Sequence, residues 1–114
     1  MPKDLITTYC VPDKDLSKLS PYLKDMLLRL SDECSFPLIL TSAFRSTEYE
    51  LSKGRSGSSS HCKGLAVDVA CVASTNRFEL IRNAFFVGFK RIGIGKDFIH
   101  LDIDVDKPKC IWLY

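Results

Sequence analysis

The sequence lacks the features that mark membrane proteins and nucleic-acid-binding proteins. In its 114 residues, no run of apolar residues approaches the length that spans a bilayer. The formal net charge is only +2, and the lysines and arginines are spread along the chain rather than clustered in one basic segment. We therefore expect neither membrane insertion nor nucleic-acid binding.

Cysteine occurs in an odd number and without the spacing of a metal or redox motif. The five cysteines form no C-x-x-C pair, and an odd count cannot complete a disulfide framework. We interpret them as reduced thiols, mostly packed as small apolar side chains.

The N-terminus also lacks the apolar stretch and cleavage site of a signal peptide, so we expect synthesis in the cytoplasm.

The chain does have enough apolar residues for one core. It is 46% hydrophobic, and its length suits a single domain over residues 1–114. Residues 1–19 show little periodicity and are predicted to be an irregular lead-in. Residues 52–60 contain only serine, glycine, lysine and arginine, a composition that predicts a flexible loop.

Helical and strand patterns alternate along the rest of the chain. Ser20 and Pro21 predict the start of one helix, and a capping-box spacing of Asn76 and Glu79 predicts the start of another. Short apolar runs predict strands at 38–41, 65–72, 89–95, 98–103 and 111–114. Several connections are too short for parallel crossovers, so we predict an α+β domain: a small, mainly antiparallel sheet flanked by helices.

Histidine is scarce, and both copies stand near aspartates. His61 precedes Asp68, which lies in an apolar strand where a carboxylate is costly unless it is paired or metal-bound. Strand alternation places His100 and Asp102 on one face. Imidazole and carboxylate are ligands that catalytic zinc prefers, so we predict a metal site. The alternative is two unrelated surface histidines and an ordinarily hydrogen-bonded carboxylate.

Two segments with these histidines resemble a known family. The letters S-x-H-x-x-G-x-A-x-D over residues 59–68, followed by D-x-x-H over residues 97–100, are similar to the M15-type zinc D,D-peptidases. Residues 41–46, TSAFRS, resemble the SGYRS segment upstream of that motif. The family includes D-Ala-D-Ala carboxypeptidases and dipeptidases and phage endolysins that cut L-alanyl-D-glutamate. The resemblance implies the Hedgehog-like fold that these enzymes share.

The resemblance also implies a role for each matched acid and imidazole. His61, Asp68 and His100 would be the ligands of a Zn²⁺ ion. Asp97 would be the general base that takes a proton from the attacking water. Asp102 would accept a hydrogen bond from a ligand imidazole, and it is the main competitor to Asp97 as base. A bland alternative for Asp97 is a turn residue after Gly95 and Lys96.

Two further positions match substrate-binding residues of the family. Arg45 would bind or polarise the substrate near the scissile carbonyl, a role that suits a guanidinium because it also grips carboxylates. Ser59 would help to hold the substrate. The alternatives are an ordinary surface ion pair for Arg45 and, for Ser59, an uncertain register within a run of serines.

The expected function is hydrolysis of a peptide bond involving a D-amino acid in peptidoglycan stem peptides. The resemblance implies action on the bacterial cell wall, and the small size and missing signal favour a phage-encoded enzyme that acts as a monomer. A second hypothesis is a non-catalytic, zinc-stabilised binding module of the same fold. A third is a cysteine hydrolase that uses Cys62, whose pKa Lys63 would lower.

Overall fold

One mixed β-sheet with helices packed on one of its faces forms the described part of the chain. The computed structural model describes residues 6–7 and 16–114. Its strands are β1 (Ile6–Thr7), β2 (Ile39–Ser42), β3 (Ala66–Ala70), β4 (Arg91–Ile94), β5 (Phe98–Asp102) and β6 (Cys110–Leu113). Its α-helices are α1 (Pro21–Glu33), α2 (Thr47–Ser52) and α3 (Ser74–Val87), and 3-10 turns span Leu16–Lys18 and Ser60–Lys63.

The strands lie in the order β1-β2-β3-β5-β4-β6. The central pairings of β2 with β3, β3 with β5 and β5 with β4 are all antiparallel. The outer strands β1 and β6 run parallel to their neighbours. The predicted α+β domain with a mainly antiparallel sheet is therefore confirmed, with parallel pairing at both edges.

The two long helices begin in different ways. Ser20 caps α1 as predicted, because its side chain accepts a hydrogen bond from the Tyr22 N–H, and a proline opens the helix. The predicted capping box at Asn76 and Glu79 is wrong. Helix α3 already begins at Ser74 without a side-chain cap, and the Glu79 carboxylate instead accepts hydrogen bonds from the backbone and hydroxyl of Ser35.

The two faces of the sheet have different partners. Val67, Val69, Ile99 and Leu101 are fully buried and form one core with the apolar sides of α1 and α3. Strand alternation turns the residues between them to the opposite face. The face turned away from α1 and α3 carries Asp68, His100 and Asp102, which the pairing of β3 with β5 sets side by side.

The N-terminal and loop predictions are only partly covered by the described residues. Within the predicted irregular lead-in of 1–19, residues 6–7 form a strand and Leu16–Lys18 a 3-10 turn, while 1–5 and 8–15 lie outside the described part. The predicted loop of 52–60 begins at the last residue of α2 and ends where the second 3-10 turn starts; its flexibility stays a prediction. None of the described helices is long and apolar enough to cross a membrane.

Candidate metal centre

The structure brings His61, Asp68 and His100 together. Their candidate ligand atoms all lie within 4.8 Å of one another. The Asp68 Oδ1 atom is 3.4 Å from His61 Nε2 and 3.0 Å from His100 Nδ1. Both imidazoles are buried, and the Asp68 side chain is only 14% exposed. Three segments distant in sequence thus meet at one carboxylate oxygen.

Main-chain contacts hold His61. The residue lies in the 3-10 turn Ser60–Lys63, which ends at Gly64 in the left-handed region, with a φ of 71°. Its Nδ1 is 2.8 Å from the Ala43 carbonyl oxygen, and its own carbonyl accepts a hydrogen bond from the Arg45 N–H at 3.3 Å. These two contacts form a backbone clamp between the turn and the segment that follows β2.

Side-chain contacts hold His100. Its Nε2 is 2.7 Å from Asp102 Oδ2, two residues along β5 on the same face. The other oxygen of Asp102 accepts hydrogen bonds from Arg91 Nε at 2.7 Å and from the Asp104 N–H at 3.1 Å. The orientation of this imidazole therefore depends on a carboxylate that is itself fixed by an arginine.

These contacts determine which nitrogen of each ring faces Asp68. A carbonyl oxygen can only accept, so His61 Nδ1 carries the hydrogen; His100 Nε2 likewise donates to Asp102. In the neutral rings, His61 Nε2 and His100 Nδ1 then direct lone pairs at the Asp68 carboxylate. Three electron donors that converge need a cation between them, and two imidazoles with a carboxylate suit zinc. The donor set therefore fits the predicted ion.

The acid–base properties of the cluster agree with a cation-binding role. Burial disfavours the charged form of Asp68, yet hydrogen bonds with His100 and His61 hold the pKa of that carboxyl far below its usual range. Burial alone would lower the pKa of His100, but hydrogen bonds to Asp102 and Asp68 raise it.

Asp102 has the supporting contacts that the sequence predicts and not those of a base. Both of its oxygens accept hydrogen bonds, and the side chain is 1% exposed. Burial opposes its charge, but the hydrogen bonds from His100 and the Asp104 N–H lower the pKa of Asp102. A buried carboxylate with occupied oxygens and a lowered pKa is a poor proton acceptor, so these contacts favour the predicted hydrogen-bond role beside His100 over that of a base; both roles stay predictions.

A second buried carboxylate, Asp104, links the two histidine-bearing segments. It follows β5, and its Oδ2 accepts hydrogen bonds from Ser60 Oγ at 2.8 Å and Lys63 Nζ at 3.0 Å, both in the turn that carries His61. Its own N–H donates to Asp102. No sequence pattern marks Asp104, because Ser60 and Lys63 are more than 40 residues away from it in the chain.

The structure leaves Asp97 outside this cluster. The residue is exposed in the hairpin between β4 and β5, and its carbonyl accepts a hydrogen bond from the Cys71 N–H. Among the described residues, its carboxylate forms none of the hydrogen bonds or ion pairs that surround the two histidines. It precedes β5 by one residue, out of phase with His100. Its role as general base stays a prediction.

The two predicted substrate-binding residues both lie against the turn of His61. Arg45 is mostly buried; its Nε is 3.5 Å from the buried Glu50 carboxylate but makes no hydrogen bond. Arg55 also pairs with that carboxylate, at 2.9 Å. Ser59 Oγ accepts a hydrogen bond from the His61 N–H at 3.1 Å and so caps the turn. Their roles toward a substrate stay predictions.

Cys62 has the environment of an inactive thiol. Burial, together with the nearby Glu50 charge, raises the pKa of Cys62. The expected help from Lys63 is wrong, because that ammonium pairs with Asp104 instead. Both imidazoles already face Asp68, so the chain has no histidine left as its base. The cysteine-hydrolase hypothesis therefore loses its chemical support.

Trp112 in β6 and Tyr114, the residue after that strand, border the cluster, and no sequence pattern predicts this. The rings of Trp112 and His100 have centroids 5.2 Å apart, and those of Tyr114 and His100 are 6.4 Å apart. Sequence alone predicts a last strand but not its place beside β4.

A separate cavity of about 560 Å³ is lined in part by Asp102 but by none of the three candidate ligands. The cavity is therefore not the place of the candidate metal centre.

Known proteins resemble this chain in sequence and in fold. The profile of the family described as Peptidase M15 matches residues 5–102. Among solved structures, the L-Ala D-Glu endopeptidase ChiX of Serratia marcescens has a TM-score of 0.57 and 18% identity, over 89% of this chain and 92% of that chain. No curated protein matches. At this identity, the structural likeness shows a shared fold.

Proposed function

Because the chain belongs to the Peptidase M15 family, we propose that it is a zinc-dependent peptidase that hydrolyses an amide bond involving a D-amino acid in peptidoglycan stem peptides. The convergence of His61, Asp68 and His100 carries the proposal, since two lone pairs and a carboxylate meet where a metal ion would bind. A bond of the L-alanyl-D-glutamyl type is favoured, because a protein with the same fold bears that activity in its name.

Each group of the site has a part in the proposed reaction. A bound Zn²⁺ would supply a Lewis acid for the attacked carbonyl and the attacking water. His61, Asp68 and His100 would hold the ion, and the hydrogen bond with Asp102 would fix the ring of His100. Arg45, whose side chain is 17% exposed beside the turn of His61, would bind a substrate carboxylate or carbonyl. Ser59 keeps the turn of His61 in place and contacts the substrate.

The general base in this proposal is Asp97. A base must come within hydrogen-bond reach of the water that it activates, and in many enzymes such contacts tighten only when the substrate binds. The exposed carboxylate of Asp97 is free to make that contact, whereas the oxygens of Asp102 are occupied. It takes the proton of the water and passes it to the leaving amine.

The exposed position of Asp97 also favours one alternative to the peptidase function. If this carboxylate never reaches the site, the same ligands would make a zinc-stabilised binding module without activity. We expect Asp97→Asn to lower kcat by about a hundredfold, in the range of general-base contributions, with unchanged zinc content. Asp106→Asn, a change of an exposed aspartate, is the control. An Asp97→Asn variant with full activity would exclude Asp97 as the base.

Digestion of purified murein sacculi tests the proposed function directly. Mass spectrometry of the released fragments, with zinc and then with a chelator, reports cleavage, metal dependence and the bond cut. We expect new amino termini in stem peptides with zinc and none with the chelator. If the zinc-loaded protein releases no fragment from sacculi or from D-Ala-D-Ala peptides, the peptidase proposal is wrong.

A further inference from the structure

Strand β6 and the residue that follows it place two aromatic side chains, Trp112 and Tyr114, on the face of the sheet that carries the candidate ligands. In the pairing of β4 with its two neighbours, Gly93 stands opposite both His100 and Trp112. Residues paired in this way point to the same face, and Tyr114 follows Trp112 by two positions. The backbone N–H of Tyr114 donates to the Ile94 carbonyl at 3.0 Å, which continues the pairing to the end of the strand.

Gly93 in β4 has no side chain, and this lets the rings of Trp112 and Tyr114 approach His100. A Cβ atom at Gly93 would lie 2.7 Å from ring atoms of both Trp112 and Tyr114, so even alanine would displace them. The Tyr114 ring also packs on Phe98, with centroids 5.0 Å apart, and on Trp112 at 6.1 Å. Contacts with Phe98 and Trp112 thus hold the Tyr114 ring beside that of His100.

The Tyr114 ring lies beside the charged part of the site, with its centroid 6.4 Å from that of His100. Burial raises the pKa of the Tyr114 hydroxyl, and the negative charge of the nearby Asp68 carboxylate raises it further. The residue is nevertheless 68% exposed, so a substrate can reach it. A phenol carries a hydrogen-bond donor at neutral pH without a charge that would compete with the metal.

We propose that Tyr114 is a catalytic residue whose hydroxyl donates a hydrogen bond to the oxygen of the scissile carbonyl and strengthens that bond as negative charge develops there. The inference rests on the proposed function. No proton is transferred and no covalent bond forms at Tyr114, because the phenol only donates and retains its hydrogen. Donors fixed at such an oxygen act mainly on kcat, since the charge that they stabilise appears in the transition state.

The test compares the zinc-loaded wild type with Tyr114→Phe, which keeps the ring and removes the donor. Tyr22→Phe is the matched control, because Tyr22 is equally exposed on α1 and away from the candidate ligands. With a stem-peptide substrate, we expect kcat of Tyr114→Phe to fall by about a hundredfold and KM to change by less than about threefold. Zinc content and thermal midpoint should match those of the wild type.

A second measurement does not need turnover. A phosphinate analogue of the stem peptide presents tetrahedral oxygens like those of the attacked carbonyl, and calorimetry gives its affinity. We expect Tyr114→Phe to bind it at least about tenfold more weakly, the effect of losing one good donor. Equal phosphinate affinity, or an unchanged kcat, would overturn the role of Tyr114. A wild type that cleaves nothing but binds the phosphinate through Tyr114 would instead refute only the proposed function.

Discussion

The two histidines of the candidate metal centre are oriented by different kinds of partner. A main-chain carbonyl and a tight 3-10 turn fix His61, whereas a buried carboxylate with its arginine fixes His100. Both rings present the correct nitrogen to Asp68, so two unlike solutions serve the same geometry. The difference indicates that backbone changes should disturb the His61 side and that isosteric side-chain changes should disturb the His100 side.

Removal of Asp68 should affect both sides of the metal centre, because both imidazoles face this carboxylate. We expect Asp68→Ala to lower zinc affinity and activity by at least about a hundredfold, more than the loss of an outer hydrogen-bond partner would. Zinc titration and murein digestion measure the two effects. The control is Asp25→Ala on the exposed side of α1. Full zinc binding by Asp68→Ala would mean that the metal binds elsewhere.

The His61 side of the metal centre should be sensitive to a change of backbone conformation at Gly64. A Cβ at Gly64 would lie 2.5 Å from the Lys18 carbonyl oxygen, and the φ of +71° strains any other residue. Gly54 has a similar φ of +76° but nothing within 4 Å, so Gly54→Ala is a control with the strain and without the collision.

We expect Gly54→Ala to cost about 1 kcal/mol of unfolding free energy, and Gly64→Ala to cost a further 1–3 kcal/mol, roughly the penalty for overpacking. Denaturant unfolding measures both variants. Gly64→Ala should also weaken zinc binding through His61. Equal stability of the two variants would show that the segment before α1 yields easily and does not support the turn.

The His100 side should respond to a single isosteric change. Asp102→Asn keeps the volume but places an amide where the imidazole N–H and the Arg91 guanidinium need an acceptor, so we expect zinc affinity to fall by about 10–100-fold. Zinc titration measures it, with Asp32→Asn on the exposed side of α1 as the reference. An unchanged affinity would mean that Trp112 alone is enough to hold the ring of His100.

The sequence predicts the candidate ligands better than their surroundings. Strand alternation places His100 with Asp102, and Asp68 lies within an apolar strand, so the residues themselves predict a metal site. The ligand set is what the resemblance to the M15-type peptidases implies. The contacts of Asp104 with Ser60 and of Tyr114 with Phe98 depend on pairings between distant segments, and neither side of these pairs has a distinctive pattern of its own. The capping box failed for a related reason, since Glu79 has a tertiary partner.

The backbone clamp between Ala43, Arg45 and His61 has a consequence for how this domain can diversify. The clamp joins the segment after β2 to the turn of His61, so the chain between Arg45 and His61, which contains α2 and residues 53–59, has both of its ends fixed. Lengthening a loop with fixed ends costs little free energy. This segment can therefore accept insertions that reshape what lies beside the metal ligands, while the ligands themselves keep their positions.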